Sequence, residues 1–151
     1  MRNVLVVGYG NSLRGDDGAG IEAVLRVAQE CPWVDTRTCH QLEPELAETI
    51  ALYETVVFVD ASAVASEPFI ETLSPVETLR ESTMHAFTAE ALVGLANELY
   101  ETAWKSVLML HLPAASIEFG ERKSEETERF IEQGVELLKQ ALSDPARVLQ
   151  S

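Results

Sequence analysis

The chain has 151 residues, of which 46% are hydrophobic and 24% charged, and these values predict one globular domain over residues 1–151. Its 11 basic and 25 acidic residues give a net charge of −14, which opposes binding to nucleic acid or to an anionic membrane surface. The apolar run at the amino end is too short for a signal peptide or a membrane span, so we expect a cytoplasmic protein.

Five apolar runs, each bounded by polar or turn residues, predict β-strands. They cover residues 3–8, 34–39, 55–61, 69–73 and 106–112. The first, third and fifth runs are almost continuously apolar, which is typical of central strands in a parallel sheet that is covered on both faces. The second and fourth runs alternate more between polar and apolar residues, so we expect them nearer the edges of the sheet.

Apolar residues at helical spacing lie between these strands and predict four helices, each with one buried stripe. The stripes consist of Ile21, Val24, Leu25 and Ala28; Leu46, Ala47, Ile50 and Tyr53; Leu92, Leu95, Ala96 and Leu99; and Ile131, Val135, Leu138 and Leu142. Start signals are Pro44 in a first turn, Thr88 as an N-cap and Ser124 before two glutamates. The order β-α-β-α-β-β-α-β-α predicts a three-layer α/β/α domain with a five-stranded, mostly parallel twisted sheet.

The two cysteines, Cys31 and Cys39, are too few to form the disulfide framework of a secreted scaffold. Their spacing is not that of a zinc or redox motif. We therefore expect two buried, reduced thiols.

Acidic residues follow two of the predicted strands. Asp16 and Asp17 lie between the first strand and the first helix, and Asp60 ends the third strand. In doubly wound sheets, ligands bind outside the carboxyl ends of the strands, so we expect these carboxylates at one rim. For either Asp16 or Asp17 taken alone, capping of the first helix is as good an explanation as a functional role. Adjacent side chains point in different directions, so we expect one aspartate to cap the helix and the other to face the rim.

Three histidines are candidates for the same rim. His85 precedes the helix that follows the fourth strand, although a single histidine more often has a structural role. His111 is expected to pack near the end of the last strand, and His40 is either a turn residue or part of a loop that contacts a partner. Two carboxylates and one imidazole suit a divalent transition metal with open coordination positions. These residues predict a metal-binding site at the rim of the sheet, but they do not indicate a substrate.

The string GYGNSLRGDDGAG at residues 8–20 resembles the nickel–iron hydrogenase maturation endopeptidases, together with FVDA at 58–61 and a later histidine before an amphipathic helix. The similarity extends over HQLEPELAE at 40–48, ALVGLANELY at 91–100 and LPAASIEFGE at 112–121. The HQL form resembles the branch of the family that serves bidirectional, NAD-linked hydrogenases.

The resemblance implies an aspartate- and metal-dependent endopeptidase that removes the C-terminal extension of a hydrogenase large-subunit precursor after nickel insertion. It implies a metal site of Asp17, Asp60 and His85, which binds nickel carried by the substrate and accepts another divalent metal in vitro. The family often has glutamate where this chain has Asp17, and Asp16 is then the helix cap. No serine or cysteine with an identifiable base is present, so we expect metal-assisted hydrolysis.

Four further residues are expected to bind the substrate peptide: Gly10, Asn11, His40 and Gln41. The three glycines Gly8, Gly10 and Gly15 are expected to let the first loop turn tightly. Nothing in the sequence indicates an obligate dimer, so we expect a monomer.

Three other functions remain open at this point. A response-regulator receiver domain also has an acidic pair after its first strand, and Asp60 would be its phosphorylated residue. A dinucleotide-binding domain is a weaker alternative, because GYGNSL contains only the first two glycines of the G-x-G-x-x-G motif. The third is a non-catalytic chaperone that only binds the nickel-loaded precursor.

Overall fold

The computed structural model describes residues 2–10, 18–62, 66–73, 88–113 and 125–143. The elements in these ranges are β1 Arg2–Tyr9, α1 Ala19–Glu30, β2 Asp35–Cys39, α2 Leu46–Ile50, β3 Tyr53–Ser62, β4 Phe69–Thr72, α3 Ala89–Leu99, β5 Ser106–Pro113 and α4 Glu125–Ser143. Their order is the order that the sequence predicts. Among the helices of these ranges, none is long and apolar enough to cross a membrane.

The strands form one five-stranded sheet with the order β2-β1-β3-β5-β4. The β1–β2, β1–β3 and β3–β5 pairs are parallel, and only β4 runs antiparallel to its neighbour β5. The predicted positions are confirmed, because the three continuously apolar strands β1, β3 and β5 are central and the two alternating strands are at the edges. A central strand contacts side chains on both faces, which is why its sequence is apolar throughout.

Helices cover both faces of the sheet, as the predicted three-layer architecture requires. On one face, Leu5, Phe58 and Met109 of the central strands are buried against residues of α2 and α3. On the other face, their neighbours Val6 and Leu110 are buried against α1 and α4. The alternation of strand side chains between two faces therefore divides the core into two clusters, one on each side of the sheet.

The predicted buried stripes are confirmed for most of α2 and α4. Leu46, Ala47 and Ile50 are buried in α2. Ile131, Val135 and Leu138 are buried in α4, and Leu142 packs half-buried against the same cluster.

Three predicted members of the stripes are wrong. Leu25 is 50% exposed and Leu99 is 60% exposed. Tyr53 is the first residue of β3 rather than part of α2. Helix α1 lies so close to the sheet that small side chains form much of its buried face. The positions of its large apolar residues therefore do not predict which face is buried. The buried residues of α1 are Ala19, Gly20, Ala23, Val24 and Val27.

The start signals of the helices are confirmed in part. Thr88 caps α3, because its Oγ1 accepts a hydrogen bond of 3.1 Å from the backbone N–H of Ala91. The carbonyl of Pro44 accepts a hydrogen bond from the N–H of Ala47 in the turn that leads into α2. The N-cap position of α1 is occupied by Gly18, not by an aspartate. Ser124 lies outside the described residues.

The two cysteines are free thiols, as predicted. Cys31 is buried, as predicted, but Cys39 is only half-buried, because it lies at the end of the edge strand β2. Burial raises the pKa of both thiols, so they remain protonated near neutral pH.

Two glycines allow helix α1 to approach β1 and β3. A Cβ added at Gly8 would lie 2.6 Å from the carbonyl oxygen of Gly20 and 2.5 Å from Cγ2 of Val24. A Cβ added at Gly20 would lie 2.7 Å from the carbonyl oxygen of Val59 and 3.0 Å from that of Tyr9. The prediction that Gly8 belongs to the turning loop is therefore wrong: it is a buried residue of β1 that makes room for the helix.

We expect Gly20→Ala to lower the free energy of unfolding by about 1–3 kcal/mol, because the added methyl group meets backbone carbonyls that have little freedom to move. Urea denaturation followed by circular dichroism measures this change. Gln29→Ala, at an exposed position of the same helix, is the control and should stay within about 0.5 kcal/mol of the wild type. Equal denaturation midpoints for Gly20→Ala and the wild type would contradict the close approach.

Candidate functional site

The carboxyl ends of the four parallel strands meet at one edge of the sheet. From β1 the chain continues to β2 on one side, and from β3 it continues to β4 and β5 on the other side. The gap between the ends of β1 and β3 is therefore the topological switch point, where open α/β sheets bind their ligands. The candidate site is built around this gap.

One row of side chains crosses the whole sheet at this edge. The register pairs Tyr9 with Cys39, Asp60 with His111, and His111 with Phe69. Gly8 is paired with Val59, so the next residues along these strands, Tyr9 and Asp60, are also neighbours. In order from β2 to β4, the row consists of Cys39, Tyr9, Asp60, His111 and Phe69, and we call it the edge row.

The edge row lies on the side of the sheet that α2 and α3 cover. Tyr9 and Cys39 pack, half-buried, against the hydrophobic cluster on that side. Asp60 is two residues from Phe58 of the same cluster, and alternate residues of a strand point to the same face. Asp60 is half-buried and lies two residues before the end of β3, close to the predicted position at the end of the strand.

Negative charge is concentrated around Tyr9. Burial raises the pKa of the Tyr9 hydroxyl, and the nearby carboxylates of Asp60 and Glu90 raise this pKa further, as does Cys39 once its thiol is ionised. Glu90 is in the first turn of α3, so the effect also places the beginning of α3 near the switch point. The position of Tyr9 beside Asp60 was not predicted, because nothing in the glycine-rich string distinguishes this tyrosine from its neighbours.

The beginning of α1 lies at the same gap. Gly20 lies so close to the carbonyl oxygens of Val59 in β3 and Tyr9 in β1, each near the carboxyl end of its strand, that it has no room for a Cβ. Gly18 at the N-cap position is buried and begins this first turn. Asp17 directly precedes Gly18 in the sequence.

The turn after β1 begins at Gly10, whose φ of 146° favours glycine. Its N–H donates a hydrogen bond of 3.2 Å to the carbonyl of Cys39. The expected role of Gly10 as a turning residue is therefore confirmed, and the bond holds the end of β1 against the end of β2. The next predicted site residue, Asn11, lies outside the described residues.

A cleft of about 680 Å³ lies beside the end of β2. Residues 37–41 line it on one side and residues near the start of α2, including Leu46, line the other. His40 and Gln41 are both exposed in the turn after β2 and both line this cleft. His40 thus lies in the connection after β2, a position that suits both of its predicted roles, as a turn residue and as part of a loop that contacts a partner.

His111 is held by two neighbours on β4. Its Nε2 lies 2.8 Å from Oε1 of Glu71, and its ring stacks on Phe69 with centroids 4.5 Å apart and planes inclined by 18°. The expectation that His111 packs near the end of the last strand is confirmed, since β5 ends at Pro113. Its place beside Asp60 follows from the register of the two strands, which the sequence alone did not predict.

The predicted metal site is described only in part. Asp60 lies at the switch point, whereas Asp16, Asp17 and His85 lie outside the described residues. Within the described ranges, no group of three or more histidine, cysteine, aspartate or glutamate side chains is arranged to hold a metal ion. The three-residue ligand set therefore stays a prediction.

No protein-family model matches the sequence, and no curated protein is significantly similar to it. Solved structures are similar over nearly the whole chain. The hydrogenase 2 maturation peptidase from a Thaumarchaeota archaeon is 27% identical, with a TM-score of 0.63 over 93% of this chain and 97% of that one. The maturation protease HycI from Thermococcus kodakarensis is 23% identical, with a TM-score of 0.72 over 95% and 94% of the two chains.

A third similar structure is the hydrogenase maturating endopeptidase HybD from E. coli, which is 20% identical, with a TM-score of 0.70 over 96% of this chain and 94% of that one. The switch-point site and the mixed sheet thus define a doubly wound α/β protein. Within that class, the fold is the one found in the hydrogenase maturation proteases, and the resemblance predicted from the sequence is confirmed for the fold.

We expect Tyr9→Phe to remove part of the loss of stability at alkaline pH. Because the pKa of Tyr9 is higher in the folded than in the unfolded protein, the folded state binds more protons above about pH 10. Wild-type stability should fall there, relative to Tyr9→Phe, by up to about 1.4 kcal/mol per pH unit. Urea denaturation of both proteins between pH 8 and pH 11 checks this expectation, and parallel curves would contradict it.

Proposed function

We propose that this protein is an endopeptidase that removes the C-terminal extension of a nickel–iron hydrogenase large-subunit precursor after nickel has been inserted. The observation that carries the proposal is the position of Asp60 at the switch point, with the beginnings of α1 and α3 beside it. These two helices directly follow the segments that contain Asp17 and His85. The similar maturation proteases share this fold over more than nine-tenths of the chain.

Chain connectivity limits how far Asp17 can lie from Asp60. Gly20 contacts the carbonyl oxygen of Val59, the residue before Asp60. Asp17 is three residues before Gly20, and three residues of chain span at most about 11 Å. This limits the separation of the Asp17 backbone from Gly20, and we propose that the Asp17 side chain covers the remaining distance to a metal shared with Asp60.

The same reasoning applies to His85. Thr88 caps α3, and Glu90 in the first turn of this helix acts electrostatically on Tyr9. His85 is three residues before Thr88, so its backbone lies within about 11 Å of the N-cap. We propose that the side chains of Asp17 and His85 reach Asp60 across the carboxyl edge of the sheet.

Two carboxylates and one imidazole are a suitable donor set for a divalent transition metal that keeps open coordination positions. In this proposal the metal is the nickel of the precursor, and the three side chains recognise that the insertion is complete. A protein-bound divalent ion of this kind polarises a carbonyl group and makes it more susceptible to water. Asp17, Asp60 and His85 hold the metal-bearing segment at the switch point and orient the scissile bond.

The cleft beside β2 is the proposed binding site of the peptide that flanks the cleavage point. Its volume of about 680 Å³ accommodates several peptide residues, and His40 and Gln41 supply exposed hydrogen-bonding groups. Gly10 is hydrogen-bonded to the carbonyl of Cys39, which lines the cleft, and Asn11 is the next residue of the chain. We propose that both residues contact the peptide where it runs from the cleft to Asp60.

The strand order supports this function over a receiver domain. Receiver domains have the doubly wound order 2-1-3-4-5, whereas this sheet has the order 2-1-3-5-4 with an antiparallel edge strand. The fold therefore supports the protease assignment more directly than phosphorylation of Asp60. The cleavage experiment below separates the protease from a non-catalytic chaperone.

We expect the wild-type protein to release a C-terminal peptide from nickel-loaded hydrogenase large-subunit precursor and not from nickel-free precursor. Asp60→Asn and His85→Ala should lower the cleavage rate at least about 100-fold, since loss of a direct ligand should cost more than the 10- to 100-fold typical of an indirect partner. Mass spectrometry of the intact precursor measures the loss of the peptide.

Three further variants serve as comparisons in this experiment. Asp17→Asn should abolish cleavage, whereas Asp16→Asn should retain it if Asp17 is the residue that faces the metal. Glu48→Gln, at an exposed position of α2, should cleave like the wild type. Normal cleavage by His85→Ala would disprove the metal-assisted mechanism, and no cleavage by the wild type would favour the chaperone.

We expect His40→Ala and Gln41→Ala to act on substrate binding rather than on the chemical step. Each should raise KM about fivefold and change kcat by less than about twofold, because one hydrogen bond contributes roughly 1 kcal/mol. Steady-state kinetics on nickel-loaded precursor separate the two constants. Gln29→Ala, at an exposed position of α1, is the matched control. A fall in kcat with unchanged KM would refute the proposed role of the cleft.

A further inference from the structure

Strand β2 forms one edge of the sheet, and its backbone has one bonded side and one open side. The carbonyl of Cys39 accepts a hydrogen bond from the N–H of Gly10, so Cys39 turns its backbone groups toward β1. In a strand, the N–H and C=O groups of one residue point to the same side, and those of the next residue point to the opposite side. Thr38 therefore turns its N–H and C=O groups away from β1, as does Thr36.

No strand covers these outward groups in the part of the chain that the structure describes. The sheet order ends at β2, and no backbone hydrogen bond from a described residue outside the sheet reaches Thr36 or Thr38. The residue Thr38 is exposed. An open edge of this kind pairs readily with an extended peptide, whose main-chain groups supply the missing hydrogen bonds.

The cleft beside β2 gives access to this open edge. Three consecutive residues of the strand, Arg37, Thr38 and Cys39, line it. Since successive side chains point to opposite faces of the sheet, a cleft confined to one face would be lined by the side chains of alternate residues only. The lining by all three residues indicates that the cleft also borders the backbone of β2.

The opposite edge of the sheet differs from β2. A cleft of about 320 Å³ near β4 is lined by Glu67 and Pro68, which precede the strand, and by residues of α4. None of the four residues of β4 lines it. This cleft therefore gives no access to the backbone of β4, in contrast to the cleft at β2.

Charge and strand length favour a peptide over a second copy of the chain as the occupant of the open edge. Two copies that paired through β2 would bring together two chains that each have a net charge of −14. The strand has only five residues, so it offers few hydrogen bonds to hold two copies together. A peptide is held by the cleft as well as by the strand.

The open edge is also within reach of Asp60. A strand added beside β2 would lie three strand spacings from β3, which is about 14 Å. About four extended residues cover this distance. A peptide paired with Thr38 is thus long enough, with four further residues, to continue across the carboxyl edge of the sheet to Asp60.

We propose that the C-terminal segment of the precursor binds as an added β-strand along the open edge of β2, through hydrogen bonds to the backbone N–H and C=O of Thr38. The inference rests on the proposed function for the identity of the peptide. Main-chain pairing supplies affinity that depends little on the sequence of the peptide, while His40 and Gln41 in the cleft contact its side chains.

The first test is steady-state cleavage of nickel-loaded precursor by two variants of Thr38. Thr38→Pro removes the outward N–H without removing a hydrogen bond to β1, and edge strands tolerate proline at such positions. We expect it to raise KM at least about fivefold and to change kcat by less than about twofold. Thr38→Val keeps the N–H and a β-branched side chain, so it is the matched control and should keep KM within about twofold of the wild type.

The second test is amide hydrogen exchange of the wild-type protein, measured by NMR. The probe is a synthetic peptide that contains the C-terminal extension of a hydrogenase large-subunit precursor and the residues before the cleavage point. In the free protein, the amide of Thr38 should exchange rapidly, whereas that of Arg37 should be protected by β1. Saturating peptide should slow exchange at Thr38 at least about 10-fold and leave Arg37 unchanged.

The two tests separate failure of the inference from failure of the proposed function. If the wild type cleaves the precursor and folded Thr38→Pro keeps the wild-type KM, the inference is wrong and the proposed function stands. If the wild type cleaves nothing but the peptide slows exchange at Thr38, the proposed function fails and the added strand stands.

Two results of the exchange experiment overturn the inference whatever the cleavage data show. One is unchanged exchange at Thr38 in the presence of the peptide. The other is slow exchange at Thr38 in the peptide-free protein that depends on protein concentration, which would assign the edge to a second copy of the chain. If Thr38→Pro does not fold, the exchange experiment on the wild type decides.

Discussion

The site depends on the contact between two backbones that Gly8 and Gly20 permit. At these positions helix α1 lies so near β1 and β3 that a single methyl group would meet carbonyl oxygens at less than 3 Å. This contact fixes the first turn of α1 against the ends of β1 and β3. The segment that contains Asp16 and Asp17 directly precedes this first turn in the sequence, so the packing of two residues without side chains determines where that segment joins the helix.

Negatively charged side chains are also concentrated at the switch point. Asp60 and Glu90 both raise the pKa of Tyr9, in a chain that already has a net charge of −14. In the proposed function, the divalent cation of a nickel-loaded precursor brings a positive charge beside these carboxylates, which a nickel-free precursor lacks.

The candidate surface extends along the whole carboxyl edge of the sheet. The cleft with His40 and Gln41 lies at the β2 end, Asp60 lies at the centre, and the stacked rings of His111 and Phe69 lie at the β4 end. Five strands at a spacing of about 4.8 Å give this edge a width of roughly 20 Å. An edge of this width accommodates an extended peptide of about six residues.

The sequence by itself determined the order of the elements, the central and edge positions of the strands, and Asp60 at the carboxyl edge. It could do so because continuous apolar runs and the alternation of strands and helices are local signals. Only the tertiary structure decided that α1 buries small residues rather than Leu25, that Gly8 makes room for a helix, and that His111 is beside Asp60. These features depend on strand register and on close packing between elements that are far apart in the chain. Neither of them produces a periodic pattern in the sequence.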